Sequence, residues 1–291
     1  MPDKELNNEN KFLISHSSFL IKITALFLIF IFSISTAFCQ TKKDEKINIA
    51  VTDMWLALLT SFIGGQEVNV IPIKIWNSNG DLVMAERGKI LRELSEDAKI
   101  IALDEKDADS IKGLEKFNVR YLYNSFPVEK SLIIDPSIIP FVAQRILTAL
   151  SEWDTPNDSF YQRRLAEFQA RMSGAVLVGQ VLKDITICDM GGSCGILLQA
   201  AGCKVERPEE KKFEKWQKGN FEGLRDYLEE LHSKGIITIF DDDTPNSLRK
   251  YLAGRSDTFH WKRPAPEIDY PTFLNEQYIS LWQKIRAKPL P

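Results

Sequence analysis

From Ile47 onward the apolar positions of the chain fall into two kinds of run. Short stretches rich in β-branched residues, at Ile47 to Val51, Val68 to Ile75, Lys99 to Leu103 and Val119 to Tyr123, have the length and composition of buried strands. Between them lie segments with helical spacing. Trp55, Leu58, Leu59 and Phe62 share one face, with Thr52 or Asp53 as the cap and Gly64-Gly65 as the stop. Ile90 to Glu96 and Asp107 to Phe117 read as further helices, and Asn77-Ser78-Asn79-Gly80-Asp81 is a turn cluster. Short strands alternating with helices predict parallel βαβ units.

The middle of the chain breaks this rhythm. Asp135-Pro136 and Thr155-Pro156 are two helix starts, each pairing a capping oxygen with a proline that loses no helical hydrogen bond there. In the second helix Tyr161, Leu165, Phe168 and Met172 form a stripe of 3.6-residue period. The alternation then resumes. Asp184 to Cys188 reads as a strand, Gly195 to Ala201 as a helix, and Asn220 caps a helix burying Phe221, Leu224, Leu228 and Leu231. Gly235 to Phe240 is a buried strand, Thr244-Pro245 starts a helix, Thr258 to Trp261 is a brief strand, and Pro271 begins a closing helix bearing Leu274, Tyr278, Leu281 and Ile285. The expected fold class is α/β: two lobes with parallel sheets flanked by helices, joined by a long connecting helix. The first lobe is expected over residues 40–153, the connector over 154–183 and the second lobe over 184–291.

Composition narrows the function. The 291 residues carry a net charge of −3, with acidic and basic residues interspersed, and no basic stripe points to nucleic acid. Lys4, Lys11 and Lys22 precede an apolar run from Ile23 to Phe32 and then Ser33 to Ala37. That run is shorter than the about 20 apolar residues of a bilayer-spanning helix. Residues 1–39 therefore read as an export leader, with Ala37 and Cys39 preceding a cut before Gln40, and the mature protein as periplasmic or at the cell surface. Lipidation of Cys39 is the less favoured alternative, because Phe38 is bulky beside the cleaved bond. Cys188, Cys194 and Cys203 remain. In an oxidising compartment three cysteines suggest one disulfide and one leftover thiol, with the pair open; buried thiols are the other reading. Their spacing matches no common zinc pattern.

The chain resembles the metal-type (zinc and manganese) solute-binding proteins of ABC importers over roughly Ile47 to Ile285. The resemblance rests on Asp135-Pro136 opening a helix, Pro156-Asn157 followed by Tyr161 and Ala166-Glu167-Phe168, and Gly202 closing the helix that begins near Cys194. It also rests on Ile236 to Phe240 followed by Asp241 to Leu248, and on Tyr270 to Ile285. It implies two lobes about a rigid helix, a ligand cleft between them, a membrane permease as partner, a monomer, and no enzymatic activity. The family's ligands do not carry over. No histidine occupies Ile75 to Leu82, Lys130 to Ile134, or Asp189 to Ser193, where the resemblance places them. Once His16 leaves with the leader, only His232 and His260 remain, too few for a three-histidine site.

A rebuilt metal site would draw on Asp189, Cys194, Asp242 from the Asp241 to Asp243 triplet, and His260. Such a thiolate-containing set suits zinc or copper(I) as the transported ligand better than manganese. Trp76, Asp189 and Asp242 are the candidates to line the cleft, each near a strand end. The bland readings stand beside these. His232 is an end-group on a helix, His260 a surface residue, and the acidic triplet a complement to a helix dipole. Gly191-Gly192 either makes a tight turn or lets free backbone N–H groups hold an anion. No nucleophile elbow or phosphate-cradling loop is present, and nothing orients a Cys194–His260 pair. Three classes follow: a solute-binding protein, a non-transport interaction or sensory protein on the same fold, and an exported enzyme or redox protein using the cysteines.

Overall fold

In a computed structural model, residues 46–77, 81–85, 94, 98–109, 111, 113–123 and 133–287 are described. The leader and Lys130 to Leu132 lie outside the described residues, as does all but Leu94 of the helix expected over Ile90 to Glu96. The first half runs β1 (Ile47–Val51), α1 (Met54–Gly64), β2 (Val68–Pro72), β3 (Lys74–Trp76), β4 (Leu82–Met84), β5 (Lys99–Ala102), α2 (Glu105–Asp109) and β6 (Asn118–Tyr121). The sheet order is β2-β1-β5-β6, every pair parallel, with Ile49 opposite Val70 on one side and Lys99 on the other. Asp53 opens α1 by accepting from the Leu56 N–H at 3.0 Å, and Gly65 closes it with φ 52°.

Two expectations need correction in this half. The strand expected over Val68 to Ile75 stops at Pro72, opposite Val51 where β1 itself ends, and the Ile73 N–H makes the last bond to the Val51 carbonyl at 2.8 Å. The chain then folds over as the antiparallel hairpin β3–β4, whose turn is held by Asn77 and Asp81. The helix expected over Asp107 to Phe117 is shorter and earlier. Asp104 caps it by accepting from the Asp107 N–H at 2.7 Å, and Gly113, at φ 98°, separates it from a single 3₁₀ turn at Leu114–Lys116.

The two proline-marked helices come next. Asp135 takes the N–H and hydroxyl of Ser137, and α3 (Ile139–Trp153) begins one turn later with Pro140 in its first turn. A 3₁₀ turn at Thr155–Asn157 leads into α4 (Asp158–Gly179), on which Tyr161, Leu165, Phe168 and Met172 are all buried. The second half runs β7 (Thr186–Asp189), α5 (Cys194–Ala200), β8 (Lys204–Glu206), α6 (Glu210–Gln217), α7 (Leu224–Ser233), β9 (Ile237–Asp241), α8 (Asn246–Ala253), β10 (Thr258–Trp261) and α9 (Tyr270–Arg286). Its parallel sheet is ordered β10-β9-β7-β8. Both sheets are wound alike: the second strand lies outside the first, and the third and fourth lie on its other side.

One hydrophobic core joins the two sheets. It includes Ile49, Val51 and Ile101 from the first, Ile187, Ile237, Ile239 and Trp261 from the second, and the α4 stripe between. The last helix ties both ends together. Tyr270 donates its hydroxyl to the Ile134 carbonyl and packs on Trp55, while Tyr278 donates to the Leu197 carbonyl at 2.6 Å. No helix among the described residues is long and apolar enough to cross a membrane.

The expected disulfide is absent: Cys188, Cys194 and Cys203 are all free and buried. Cys188 lies in the core layer of Trp216 and Leu228, whereas Cys194 and Cys203 face the shared core, so the sheet separates it from them. The Cys203 thiol is 3.5 Å from the Leu182 carbonyl and that of Cys194 donates to Asp189. Burial pushes the Cys188 thiol up to about 11 and the Cys203 thiol up to about 12, and raises that of Cys194 well above its ordinary range. All three are thiols at neutral pH and poor nucleophiles.

Candidate functional site

In doubly wound sheets ligands bind beyond the carboxyl ends of the strands, where the strand order reverses. In the second sheet that point lies between β7 and β9, and the protein's own carboxylates fill it. Asp189, fully buried at the end of β7, accepts from the Gly191 N–H at 2.8 Å, the Cys194 thiol at 3.1 Å and the Arg207 guanidinium at 2.7 Å. Asp241, at the end of β9, accepts from the N–H groups of Gly192, Ser193 and Cys194 at 2.7 to 3.1 Å and from the Thr244 hydroxyl at 3.0 Å. The loop before α5 does hold an anion, and that anion is Asp241. Burial alone would raise its pKa, but the converging N–H and O–H donors overcome this and hold it below the usual carboxylate range.

The glycines of this loop serve close approach. A Cβ on Gly191 would sit 2.6 Å from Asp241 Oδ2, and one on Gly195 would sit 2.4 Å from Asp189 Oδ2. Neither has a positive φ. The first sheet is plugged in a related way: Asp107, buried in the middle of α2, accepts from the Thr52 hydroxyl beyond β1 and pairs with Lys74 at 3.7 Å.

Space remains between the two sets of strand ends. A cleft of about 460 Å³ is lined by Met54, Pro72, Ile75, Trp76 and Asn77 from the first half and Asp242, Arg263, Pro264 and Pro266 from the second. Trp76 ends β3 and stands edge-on to Trp55, with ring centroids 5.1 Å apart. Asp242 follows β9. Its Oδ1 meets His260 Nε2 at 2.8 Å and Arg249 Nη1 at 3.5 Å, and its Oδ2 accepts from the Arg263 N–H at 2.9 Å. Burial opposes ionisation of Asp242, yet the His260 and Arg263 hydrogen bonds hold its pKa below the usual range. His260 lies flat against Phe240, at 4.7 Å and 9° between planes.

Of the expected cleft residues, Trp76 and Asp242 lie on the cleft and Asp189 lies behind it, sealed under the loop before α5. The four expected metal ligands fall into two pairs, Asp189 with Cys194 and Asp242 with His260. Among the described residues no group of three or more histidine, cysteine or acidic side chains converges on a metal position. The cause is local: Asp241 turns toward α5 and the next residue, Asp242, turns toward β10.

Arg263 is the cleft residue that sequence reasoning missed. It follows β10 in the stretch Lys262-Arg263-Pro264-Ala265-Pro266, and a cation in a loop beyond a strand's carboxyl end is the signal that marks it. Its Nη2 pairs with Asp243, and its Cζ lies 5.5 Å from the centre of the Trp76 ring, so it touches across the cleft. Its Nη1 is buried and has no hydrogen-bond partner.

No family model matches the sequence, and no curated protein does. Solved structures do match the fold. The solute-binding protein FpvC from Pseudomonas aeruginosa, in complex with Mn2+, aligns with a TM-score of 0.59 at 14% identity over 83% of this chain and 99% of its own. A Zn(II)-bound variant of AdcAII from Streptococcus pneumoniae gives 0.60 at 14% identity, over 83% of this chain and 100% of its own. The laminin-binding protein Lmb of Streptococcus agalactiae, described as an adhesin with metal transporting activity, gives 0.59 at 13% identity, over 83% and 100%. The fold of this chain is that of the metal-type solute-binding proteins.

Proposed function

We propose that this protein is an exported solute-binding protein that captures a small ligand between two lobes and delivers it to an ABC permease in the membrane. The observation that carries the reading is the cleft itself. Residues from both halves wall it, at the carboxyl ends of two like-wound parallel sheets that share a core across α4. The fold shared with FpvC, AdcAII and Lmb supports the same reading. The lobes comprise residues 40–153 and 184–291, the connector 154–183, and the leader ends at Cys39. The mass of the mature chain tests that last point: a start at Gln40 is expected, and a diacylated Cys39 at the N-terminus would overturn it.

The metal cargo of the family does not transfer with the fold. His232 and His260 are the histidines of the mature chain, and the oxygens of Asp242 are already engaged by His260, Arg249 and the Arg263 backbone. The test is native mass spectrometry of the chain isolated from the envelope of its producing cells, together with calorimetric titration of zinc, manganese and copper(I). One small molecule per chain is the expected result. A protein that carries nothing, and binds nothing tighter than about a micromolar Kd (about −8.2 kcal/mol), is not a capture protein. The interaction or sensory reading would then replace this one.

A further inference from the structure

Resting on the solute-binding reading, we propose that the cleft ligand is a small organic anion: a carboxylate on an apolar body, with Arg263 as the residue that recognises the charge. Among the described residues, Asp242 and Arg263 are the charged ones lining the cleft, and their commitments differ. Each oxygen of Asp242 already accepts from a protein donor. Asp243, the other carboxylate beside Arg263, accepts from Arg263 and from the Ser193 hydroxyl at 3.0 Å. Arg263 Nη1, in contrast, donates to nothing. A guanidinium can present two parallel N–H groups to a carboxylate, and a buried donor left unpaired costs free energy that a bound acceptor would recover. An incoming cation would meet a fixed guanidinium and carboxylates already paired with protein donors.

The rest of the wall fits the apolar body. Met54, Pro72, Ile75, Trp76, Pro264 and Pro266 offer aliphatic and aromatic surface and no further charge. Trp76 covers the guanidinium at 5.5 Å, so ligand entry displaces this contact and exchanges a cation–π pair for a charge-assisted hydrogen bond. Arg263 is held from behind, through its backbone N–H on Asp242 and its Nη2 on Asp243, so its position is set before the ligand arrives.

The experiment uses the full mature chain. Ligand released from protein isolated from its producing cells is identified by mass spectrometry. In parallel, a panel of aliphatic and aromatic mono- and dicarboxylates, phenylacetate among them, is titrated by calorimetry. Controls are the matching amides and amines, and zinc chloride. An anion in the released material is expected, as is a carboxylate that binds while its amide binds about tenfold or more weakly. Arg263→Gln should lose that preference for the carboxylate over the amide, and Arg263→Lys should restore part of it at an unchanged Tm. A released or titrated metal ion, amine or neutral molecule overturns the anion while leaving capture intact. No released ligand and no binding by any probe overturns the anion and capture together. Full carboxylate binding by folded Arg263→Gln would remove Arg263 from recognition.

Discussion

Asp241 organises the second set of strand ends, because three consecutive backbone N–H groups and a threonine hydroxyl converge on one carboxylate. An amide in its place cannot accept as strongly and turns its own N–H₂ toward those donors. Asp241→Asn is expected to cost about 3 kcal/mol at neutral pH, the scale of breaking a buried, hydrogen-bonded charge site. The folded pKa of Asp241 is lowered, so its stabilisation is complete above its unfolded value of about 3.9. It is lost as pH falls through that value toward the folded one. Thermal melts from pH 6 to pH 2 therefore should show the parent losing Tm in acid more steeply than Asp241→Asn. Equal slopes would mean that this carboxylate is not the group being protonated. The acidic triplet was legible as a helix-dipole complement, but not which helix it serves. Asp241 serves α5, through a contact to Ser193 that lies 48 residues back, rather than α8 just ahead, and no local pattern encodes a partner at that distance. The cleft residues divide in the same way. Trp76 and Asp242 were readable from their positions near strand ends, while Arg263 looked like one charge among many until Trp76 was placed opposite.

At the scale of elements, α4 was the most legible part of the chain, since a buried face repeated over three turns leaves a periodic signature. The hairpin β3–β4, strand β8 and helix α6 were not. The three strands hold three residues each, too few to establish a period, and α6 (EKKFEKWQ) is mostly charged, with Trp216 its one buried residue. Two glycines of α4 make the packing testable. A Cβ on Gly179 would meet the Tyr278 ring at 2.8 Å, and that ring is pinned by its hydroxyl on the Leu197 carbonyl. A Cβ on Gly174 would meet nothing within 4 Å. Alanine gains about 1 kcal/mol over glycine in a helix interior, and overpacking costs about 1–3 kcal/mol. Gly174→Ala is thus expected to raise the urea midpoint and Gly179→Ala to lower it, with the slope unchanged in both. A Gly179→Ala variant as stable as Gly174→Ala would show that α9 does not press on α4 as described.

For the whole molecule, the question is whether two sheets make two folding units. Each has its own outer layer: Ala50, Ile73, Ile100 and Ile111 beneath the first, and Cys188, Trp216, Leu228 and Phe240 beneath the second. The inner layer belongs to neither, because it runs unbroken from Ile49 and Ile101 through the α4 stripe to Ile187, Ile239 and Leu281. The chain also spans it along α4 and again, in the same direction, along α9: Asp269 at the start of α9 lies by Arg171, and Tyr278 lies by Gly179 at the end of α4. The start of α9 is locked to the first half through Trp55 and the Ile134 carbonyl, and to α4 through Arg171, which holds Asp269 at 2.9 Å. Pulling the second half away would expose the inner faces of both sheets, so neither has a stable state alone. Scanning calorimetry is therefore expected to give one transition, with calorimetric and van't Hoff enthalpies equal. Tyr270→Ala, which strips the ring from that junction, should lower this single Tm without splitting it, at a cost of about 3–5 kcal/mol for a buried aromatic. Two resolved transitions in the parent protein would mean that the lobes fold independently and that the shared core does not couple them. A single transition would mean that the two walls of the cleft, Trp76 on one side and Arg263 on the other, are held in register by one cooperative unit.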